Sequence, residues 1–399
     1  MFLLISDGTL SVQRFEFFAD LAGDRGINTL FSVHPYAPTL GNSHNKFSFT
    51  IKRNIATDPD IMKTPISRMR FLSMIASFSV AAVFSVAQAA DLTDTHASVR
   101  AVAALQNEIT SDLMELESVL GTAIGMDEGQ GRPGLVIFLD RDSGQTPAAL
   151  RAIPAQLRGI PVLVSVTDKF RALAPGGGNG NGAGKGGPGG GGGEPPVDFR
   201  GIQTPPIKLG TSGGWRYDLA NGYCCGGTLG SLIQISGSPV EANNGLFILS
   251  NYHVLEADIV SGGNSIVATT GDPVIQPGLI DVGCAAGASQ AVATLVKLST
   301  LGGFSHNNVD ASIAKVIDGM VDPAGEILGI GIISSEIVTA ALNQGVKKSS
   351  RTTGFTTSKV SGLNATIRVQ YDNECAGAPA FIIEFTGQIV IANRGGKFL

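Results

Sequence analysis

The chain has 399 residues, of which 43% are hydrophobic and only 15% are charged, and its formal net charge is −5. This length leaves room for two or more domains with sizeable cores. A phosphate-binding surface needs an excess of basic side chains, so the charge balance predicts no nucleic-acid partner. Glycine is unusually frequent, with 53 residues.

Residues 62–89 have the pattern of a secretory signal peptide. Basic side chains precede an apolar run at residues 71–86, and Ala87-Gln88-Ala89 matches a cleavage site. The basic residues are Lys63, Arg68 and Arg70. A transmembrane helix is the alternative, but the 16 apolar residues fall short of the roughly 20 that a span needs. We therefore expect a secreted or periplasmic protein that begins at Ala90 and has no stable membrane anchor.

Residues 1–61 precede this segment, although a signal peptide stands at the N-terminus of a translated chain. Met62 or Met69 is therefore a better start than Met1, and we expect residues 1–61 to be an over-extended start of the reading frame. A genuine extension, disordered or close to a membrane, is the alternative.

Residues 90–174 alternate helical and strand patterns, which predicts a small α/β domain. Apolar residues recur at three- and four-residue steps in the helical part, and β-branched runs mark the strands. The predicted elements are a helix at 97–118, strands at 119–126, 134–139 and 160–167, and a short helix at 147–157. This segment carries no recognisable catalytic cluster.

Residues 175–196 form a predicted flexible linker, because glycine occupies 13 of the 18 positions from 176 to 193. Lys185 among these glycines invites comparison with a phosphate-binding loop. However, no Ser or Thr follows Lys185 and no helix pattern begins there. The segment therefore predicts no nucleotide cofactor.

From residue 197 onward, short apolar runs alternate with Gly, Pro, Asn and Asp, which predicts an all-β barrel or sandwich. The candidate strands are 226–235, 245–250, 265–269, 291–298, 311–316, 346–351, 359–360, 365–371 and 388–391.

The sequence contains four cysteines, and an even number in an exported chain suggests disulfides. A bridge between the adjacent Cys224 and Cys225 would be strained, so one or both are expected to pair with Cys284 or Cys375. Buried free thiols are the alternative. No CxxC or His/Cys spacing predicts a zinc site, and we predict no cofactor.

One histidine and one aspartate follow the pattern of a catalytic acid–base pair. His253 comes just after the apolar run 245–250, and Asp310 directly precedes the alternating run 311–316. Imidazole is a suitable general base near neutral pH, and a buried carboxylate can orient it. The structural alternatives are an ordinary surface or core histidine and a turn aspartate.

The other nearby titratable residues are predicted to be structural. His306, in a polar loop, and the loop acids Glu256 and Asp258 are expected to be solvent-exposed. Asp218 and Asp281 are expected to be turn residues.

Four segments together resemble a bacterial group of trypsin-like serine proteases. They are residues 225–230 (CGGTLG), 249–255 (LSNYHVL), 276–281 (QPGLID) and 348–354 (KSSRTTG). The resemblance covers most of residues 97–395. It implies a chymotrypsin-like all-β double barrel in 197–399 after the small α/β domain, and hydrolysis of protein or peptide substrates. It also implies that His253 is the base and Asp310 its acid partner, in the order in which serine comes last.

The same resemblance implies a Gly-Asp-Ser-Gly segment after a strand like 388–391. Residues 393–399 begin a glycine-containing loop, but no serine follows Ser361. We therefore expect an incomplete second barrel and no turnover, since the nucleophile and the backbone donors of the oxyanion hole are missing. The alternatives are a truncated copy of an active peptidase, a pseudoprotease that binds peptides or proteins, and a non-functional remnant.

Overall fold

The structure is a computed structural model. It describes residues 92–172, 197–220, 223–235, 245–256, 268–296, 309–372 and 379–392, together with the backbone of four short N-terminal strands. These strands are β1 (Leu3–Ser6), β2 (Thr9–Ser11), β3 (Glu16–Ala19) and β4 (Thr29–Pro35). The predicted signal peptide, the glycine-rich linker and the loop at 393–399 lie outside the described residues.

The segment that follows residue 92 folds into a helix packed on a small sheet. Its elements are α1 (Ala97–Met114), β5 (Val119–Asp127), β6 (Arg132–Asp140), α2 (Thr146–Ala152), β7 (Gln156–Leu157), β8 (Ile160–Thr167) and β9 (Phe170–Ala172). Val99, Val102 and Leu105 form the buried stripe of α1, which packs on β5 and β6. The predicted helix and strands are thus present, although α1 ends at Met114 because residues 115–118 form turns.

Shorter elements follow in the middle of the chain. The strands are β10 (Thr211–Trp215), β11 (Leu219–Ala220), β12 (Tyr223–Cys224), β13 (Gly227–Leu229), β14 (Ser231–Ile235), β15 (Leu246–Ser250), β16 (Pro273–Gln276), β17 (Gln290–Val296) and β18 (Ser312–Val316). The helical turns are α3 (Tyr252–Leu255) and two 3-10 turns, Leu279–Asp281 and Ala286–Ala288. Sequence patterns missed β10, β11, β12 and β16, and they predicted one strand at 226–235 where the structure has β13 and β14. Of the predicted strand 265–269, only residues 268–269 are described, and they are not in a strand.

Most of these strands form one antiparallel sheet that curls on itself. Its order is β13-β10-β16-β17-β18-β15-β14-β4-β3. Strands β13 and β14 stand six places apart in that order, yet only Gly230 separates them in the chain. The sheet must therefore curl to bring them together. Its inner face is lined by buried residues, among them Trp215, Leu232, Ile248, Val274, Val292 and Leu295.

The C-terminal strands β19 (Gly345–Ser350), β20 (Gly354–Asp372) and β21 (Pro379–Ile391) belong to a second sheet. Its order is β2-β1-β19-β20-β5-β6-β8-β7, and β21 and β9 also pair with β20. Strand β5 pairs directly with β20, so the strands of 90–174 share a sheet with the C-terminal part of the chain. The domain boundaries themselves remain a prediction.

Strand β20 corrects one expectation, since the sequence pattern divided it into two strands at 359–360 and 365–371. It runs for 19 residues without a break. Its pairing shifts register near Gly362 and Ala365, and Asn364 adopts a φ of 50°. Bulges of this kind bend a strand without ending it, and their Gly and Asn residues resemble a turn in sequence.

Cys224 and Cys284 form a disulfide, with their Cα atoms 5.4 Å apart. This confirms one of the predicted pairings, and the alternative of free thiols is wrong for these two residues. Cys225 is also disulfide-bonded, and Cys375 lies outside the described residues. In the part of the chain that the structure describes, no helix combines the length and the apolar character that a membrane span needs.

Candidate active site

His253 lies in α3, the single helical turn that follows β15. The turn is closed by the backbone N–H groups of Val254 and Leu255, which both donate to the carbonyl oxygen of Asn251 at 3.1 Å. The side chains of Val254 and Leu255 are buried in the core of the curled sheet. The imidazole of His253 remains 20% exposed, so it is held by a fixed turn and still reachable from solvent.

Asp310 precedes β18, which pairs with β15 in an antiparallel register that sets Ser250 opposite Ser312. In an antiparallel pair, residues that follow one strand lie beside residues that precede the other. This register therefore brings Asp310 next to α3. The Asn251 side-chain amide strengthens the contact by donating to the carbonyl oxygen of Asp310 at 3.0 Å.

The carboxylate of Asp310 accepts hydrogen bonds from four donors. Oδ1 accepts from the backbone N–H groups of Tyr252 at 2.7 Å and His253 at 3.3 Å. Oδ2 lies 2.5 Å from Nδ1 of His253 and 2.9 Å from the hydroxyl of Tyr371. An ionised carboxylate only accepts, so Nδ1 carries the proton of the short contact. The structure thus brings together the two residues that the sequence analysis singled out.

Tyr371 was not found by sequence reasoning. It lies near the end of β20, in the second sheet, and its ring packs in a cluster with Tyr252 and Phe385. A lone tyrosine 61 residues after Asp310 carries no motif, and only knowledge of the strand pairing could have placed it.

The environment shifts the pKa values of both Asp310 and Tyr371. Burial alone would raise the pKa of Asp310, but the charge of His253 and hydrogen bonds from His253 and Tyr371 outweigh it and hold that pKa below its usual range. Burial, and then the negative charge of Asp310, raise the pKa of Tyr371 far above its ordinary value. Asp310 is therefore an acceptor and Tyr371 a protonated donor at neutral pH.

Two serines near the pair are engaged elsewhere. Ser250 is buried and donates to the carbonyl oxygen of Thr228 at 2.6 Å. Ser312 is buried and donates to Glu256 Oε1 at 2.7 Å. Neither hydroxyl is hydrogen-bonded to His253. Within the described residues, Nε2 of His253 makes no hydrogen bond, so it is available to accept a proton.

Several predicted side-chain environments differ from the expectation. Glu256 was expected to be a solvated loop charge, but it is 2% exposed and binds Ser312. It thereby ties α3 to β18 beside the acid–base pair. Asp218 is buried at 1% exposure rather than lying on an exposed turn. Asp258 and His306 lie outside the described residues.

Asp281 was also expected to be an ordinary turn residue. It does end a 3-10 turn, but its carboxylate forms a buried ion pair with Arg351. Among the described residues, no group of three His, Cys, Asp or Glu side chains is arranged to hold a metal ion.

This geometry is suited to general-base chemistry. The carboxylate fixes the imidazole through Nδ1 and stabilises its protonated form, which leaves Nε2 to take a proton from a nucleophile. No protein-family model matches the sequence, and no curated protein matches it significantly.

Proposed function

We propose that this chain is a member of the trypsin-like serine endopeptidases, with His253 as general base and Asp310 as its orienting acid. The observation that carries the proposal is the 2.5 Å contact between His253 Nδ1 and a carboxylate oxygen that also receives a second side-chain donor. The order of the two residues along the chain supports it. The substrate class would be proteins or peptides outside the cytoplasm, and the disulfide is compatible with that location.

The proposal assigns a fold as well. The curled sheet would be the first barrel of a chymotrypsin-like domain, and β19, β20 and β21 would begin the second. In that arrangement the catalytic cleft lies between the barrels. The hydrogen bond between Tyr371 of β20 and Asp310 beside β18 supports this arrangement, because it joins β20 to the curled sheet at the acid–base pair.

Peptide hydrolysis by this route also needs a nucleophile and an oxyanion hole. The 399 residues contain no Gly-Asp-Ser-Gly segment, and the hydroxyls of Ser250 and Ser312, which flank the pair in sequence, are hydrogen-bonded to other groups. We therefore expect these 399 residues to have no peptidase turnover by themselves. Removal of the serine from a complete triad leaves only the residual rate that the oxyanion hole and binding supply.

The test compares the 399-residue chain with a version extended by a Gly-Asp-Ser-Gly loop and closing strands. Both are treated with a fluorophosphonate probe, which labels an activated serine, and are assayed on a fluorescent general protein substrate. We expect labelling and turnover only in the extended version, and loss of both in its His253→Ala variant. His96→Ala is the matched control, because His96 caps α1 through Ser98, far from Asp310 in the sequence.

Other outcomes are equally informative. Labelling of the 399-residue chain that His253→Ala abolishes would show that another serine is the nucleophile. An extended version that folds but neither labels nor cleaves would contradict the peptidase assignment. Saturable binding of a denatured protein substrate by such an inactive chain would favour the alternative, a pseudoprotease that serves as a peptide- or protein-binding module.

A further inference from the structure

The second sheet contributes one side chain to the acid–base pair. Tyr371 stands near the end of β20 and is 3% exposed, with its ring against Tyr252 and Phe385. His253 lies in α3, which follows β15, and Asp310 directly precedes β18. Both strands belong to the curled sheet. The phenol of Tyr371 therefore reaches the pair from a separate structural element.

The hydroxyl of Tyr371 shares its acceptor with the imidazole. It donates to Asp310 Oδ2 at 2.9 Å, the same oxygen that faces Nδ1 of His253. The other oxygen, Oδ1, is held by two backbone N–H groups. A carboxylate with both oxygens fixed by donors cannot rotate about its last bond without breaking several hydrogen bonds at once.

We propose that Tyr371 is a positioning residue, whose hydroxyl holds Asp310 Oδ2 in line with Nδ1 of His253 and so keeps Nε2 as the proton acceptor. This role rests on the proposed function, because it matters for catalysis only if His253 acts as the base. A neutral imidazole has two tautomers, and only the one with the proton on Nδ1 leaves Nε2 free to accept. Anything that fixes the carboxylate favours that tautomer.

The alternative is that the hydrogen bond is purely structural: a buried tyrosine hydroxyl normally has a hydrogen-bond partner, and Asp310 is the acceptor within its reach. The two roles make different predictions. If the bond only satisfies Tyr371, its removal changes stability and leaves the imidazole unaffected. If it positions Asp310, its removal changes the state of His253 even when the fold is intact.

The experiment is nitrogen-15 NMR of the histidine ring in the full 399-residue chain, which needs no catalytic activity. The variants are Tyr371→Phe, which keeps the ring and removes the hydroxyl, and the control Phe385→Leu, which disturbs the same cluster without touching the carboxylate. In Tyr371→Phe we expect solvent exchange of the His253 Nδ1 proton to become faster by about 2- to 10-fold, the factor that corresponds to one net hydrogen bond. Phe385→Leu should lower Tm and leave that exchange rate unchanged.

An unchanged Nδ1 proton in a folded Tyr371→Phe variant overturns the proposal, and so does an equal change in Phe385→Leu. If Tyr371→Phe does not fold, replacement of Tyr371 by 3-fluorotyrosine tests the same bond, since it alters the acidity of the phenol and keeps the ring. A chemical shift of the Nδ1 proton identical to that of the unmodified chain would then count against the positioning role.

In the extended chain, Tyr371→Phe should lower kcat and leave KM unchanged. If the unsubstituted extended chain has no activity while the NMR result is obtained as expected, the proposed function is contradicted and this inference is not.

Discussion

Arg351 and Asp281 form a bidentate ion pair in which each side chain is only 7% exposed. Nε of Arg351 lies 2.5 Å from Oδ2 of Asp281, and Nη2 lies 2.7 Å from Oδ1. Ser212 donates to the same carboxylate at 2.5 Å. The pair joins segments 70 residues apart, and these are two of the four segments on which the family resemblance rests.

Removal of either partner should destabilise the protein strongly. In Asp281→Ala we expect a loss of about 3–5 kcal/mol in the free energy of unfolding, because the guanidinium would remain buried without its counter-charge. The double variant Asp281→Leu with Arg351→Met should be more stable than Asp281→Ala, since it leaves no unpaired charge. Urea denaturation followed by circular dichroism measures both.

An exposed ion pair provides the matched control for this comparison. Arg158 and Glu108 also form two hydrogen bonds, but their side chains are 67% and 52% exposed. Solvent screens such a pair, so Arg158→Ala should leave the urea midpoint nearly unchanged. A loss in Arg158→Ala as large as that in Asp281→Ala would contradict the argument from burial.

Asp310 predicts a specific dependence of stability on pH. Its pKa in the folded protein lies below the ordinary value, while the unfolded chain has the ordinary value of about 3.9. The ionised carboxylate therefore stabilises the folded state fully above that pH, and this contribution is lost as the pH falls through the lower, folded pKa. Asp310→Asn lacks this contribution.

The measurement is the free energy of unfolding of both proteins between pH 7 and pH 3. We expect Asp310→Asn to be the less stable at pH 7, and the difference to narrow as the pH falls below about 4. A difference that stays constant over the whole range would mean that the charge of Asp310 contributes nothing to stability. The same variant in the extended chain should lose activity by about 10⁴-fold if the triad mechanism applies.

Local patterns in the sequence were sufficient to place α1 and β8, because periodicity reflects which face of each element is buried. They also predicted the His253–Asp310 pair, since His253 follows one recognisable strand and Asp310 precedes another. They were not sufficient for Tyr371 or for the pairing of β5 with β20, because strand pairing across hundreds of residues leaves no local signal. The ion pair of Asp281 was missed for the same reason: its partner Arg351 is 70 residues away in the sequence, and an aspartate between Gly278 and Gly283 resembles a simple turn residue.

The disulfide between Cys224 and Cys284 should contribute to stability through the unfolded chain. It closes a loop with a sequence separation of 60, for which the loop-entropy relation gives about 4 kcal/mol. We expect the double variant Cys224→Ala with Cys284→Ala to lose about that much free energy of unfolding, measured by urea denaturation. The double variant avoids a lone thiol and leaves Cys225 intact. A change of less than about 1 kcal/mol would mean that the unfolded chain is already restricted in this region.

Gly227 of β13 lies against Val254, the residue that follows His253. A Cβ atom at position 227 would overlap Cγ2 of Val254 and lie 3.0 Å from its Cγ1. Val254 is buried and anchors α3, so it has little room to move.

Gly227→Ala should therefore displace α3 and weaken the contact between His253 and Asp310. We expect a loss of about 1–3 kcal/mol in stability, typical of an overpacked core, together with faster exchange of the His253 Nδ1 proton. Val254→Ala added to Gly227→Ala removes the overlapping methyl groups and should restore the slow exchange, a non-additive effect expected of residues in contact. Gly144→Ala is the control, because a Cβ there meets nothing within 4 Å. If Gly227→Ala leaves the proton unchanged, or if Val254→Ala fails to rescue it, then close packing between β13 and α3 does not set the position of the base.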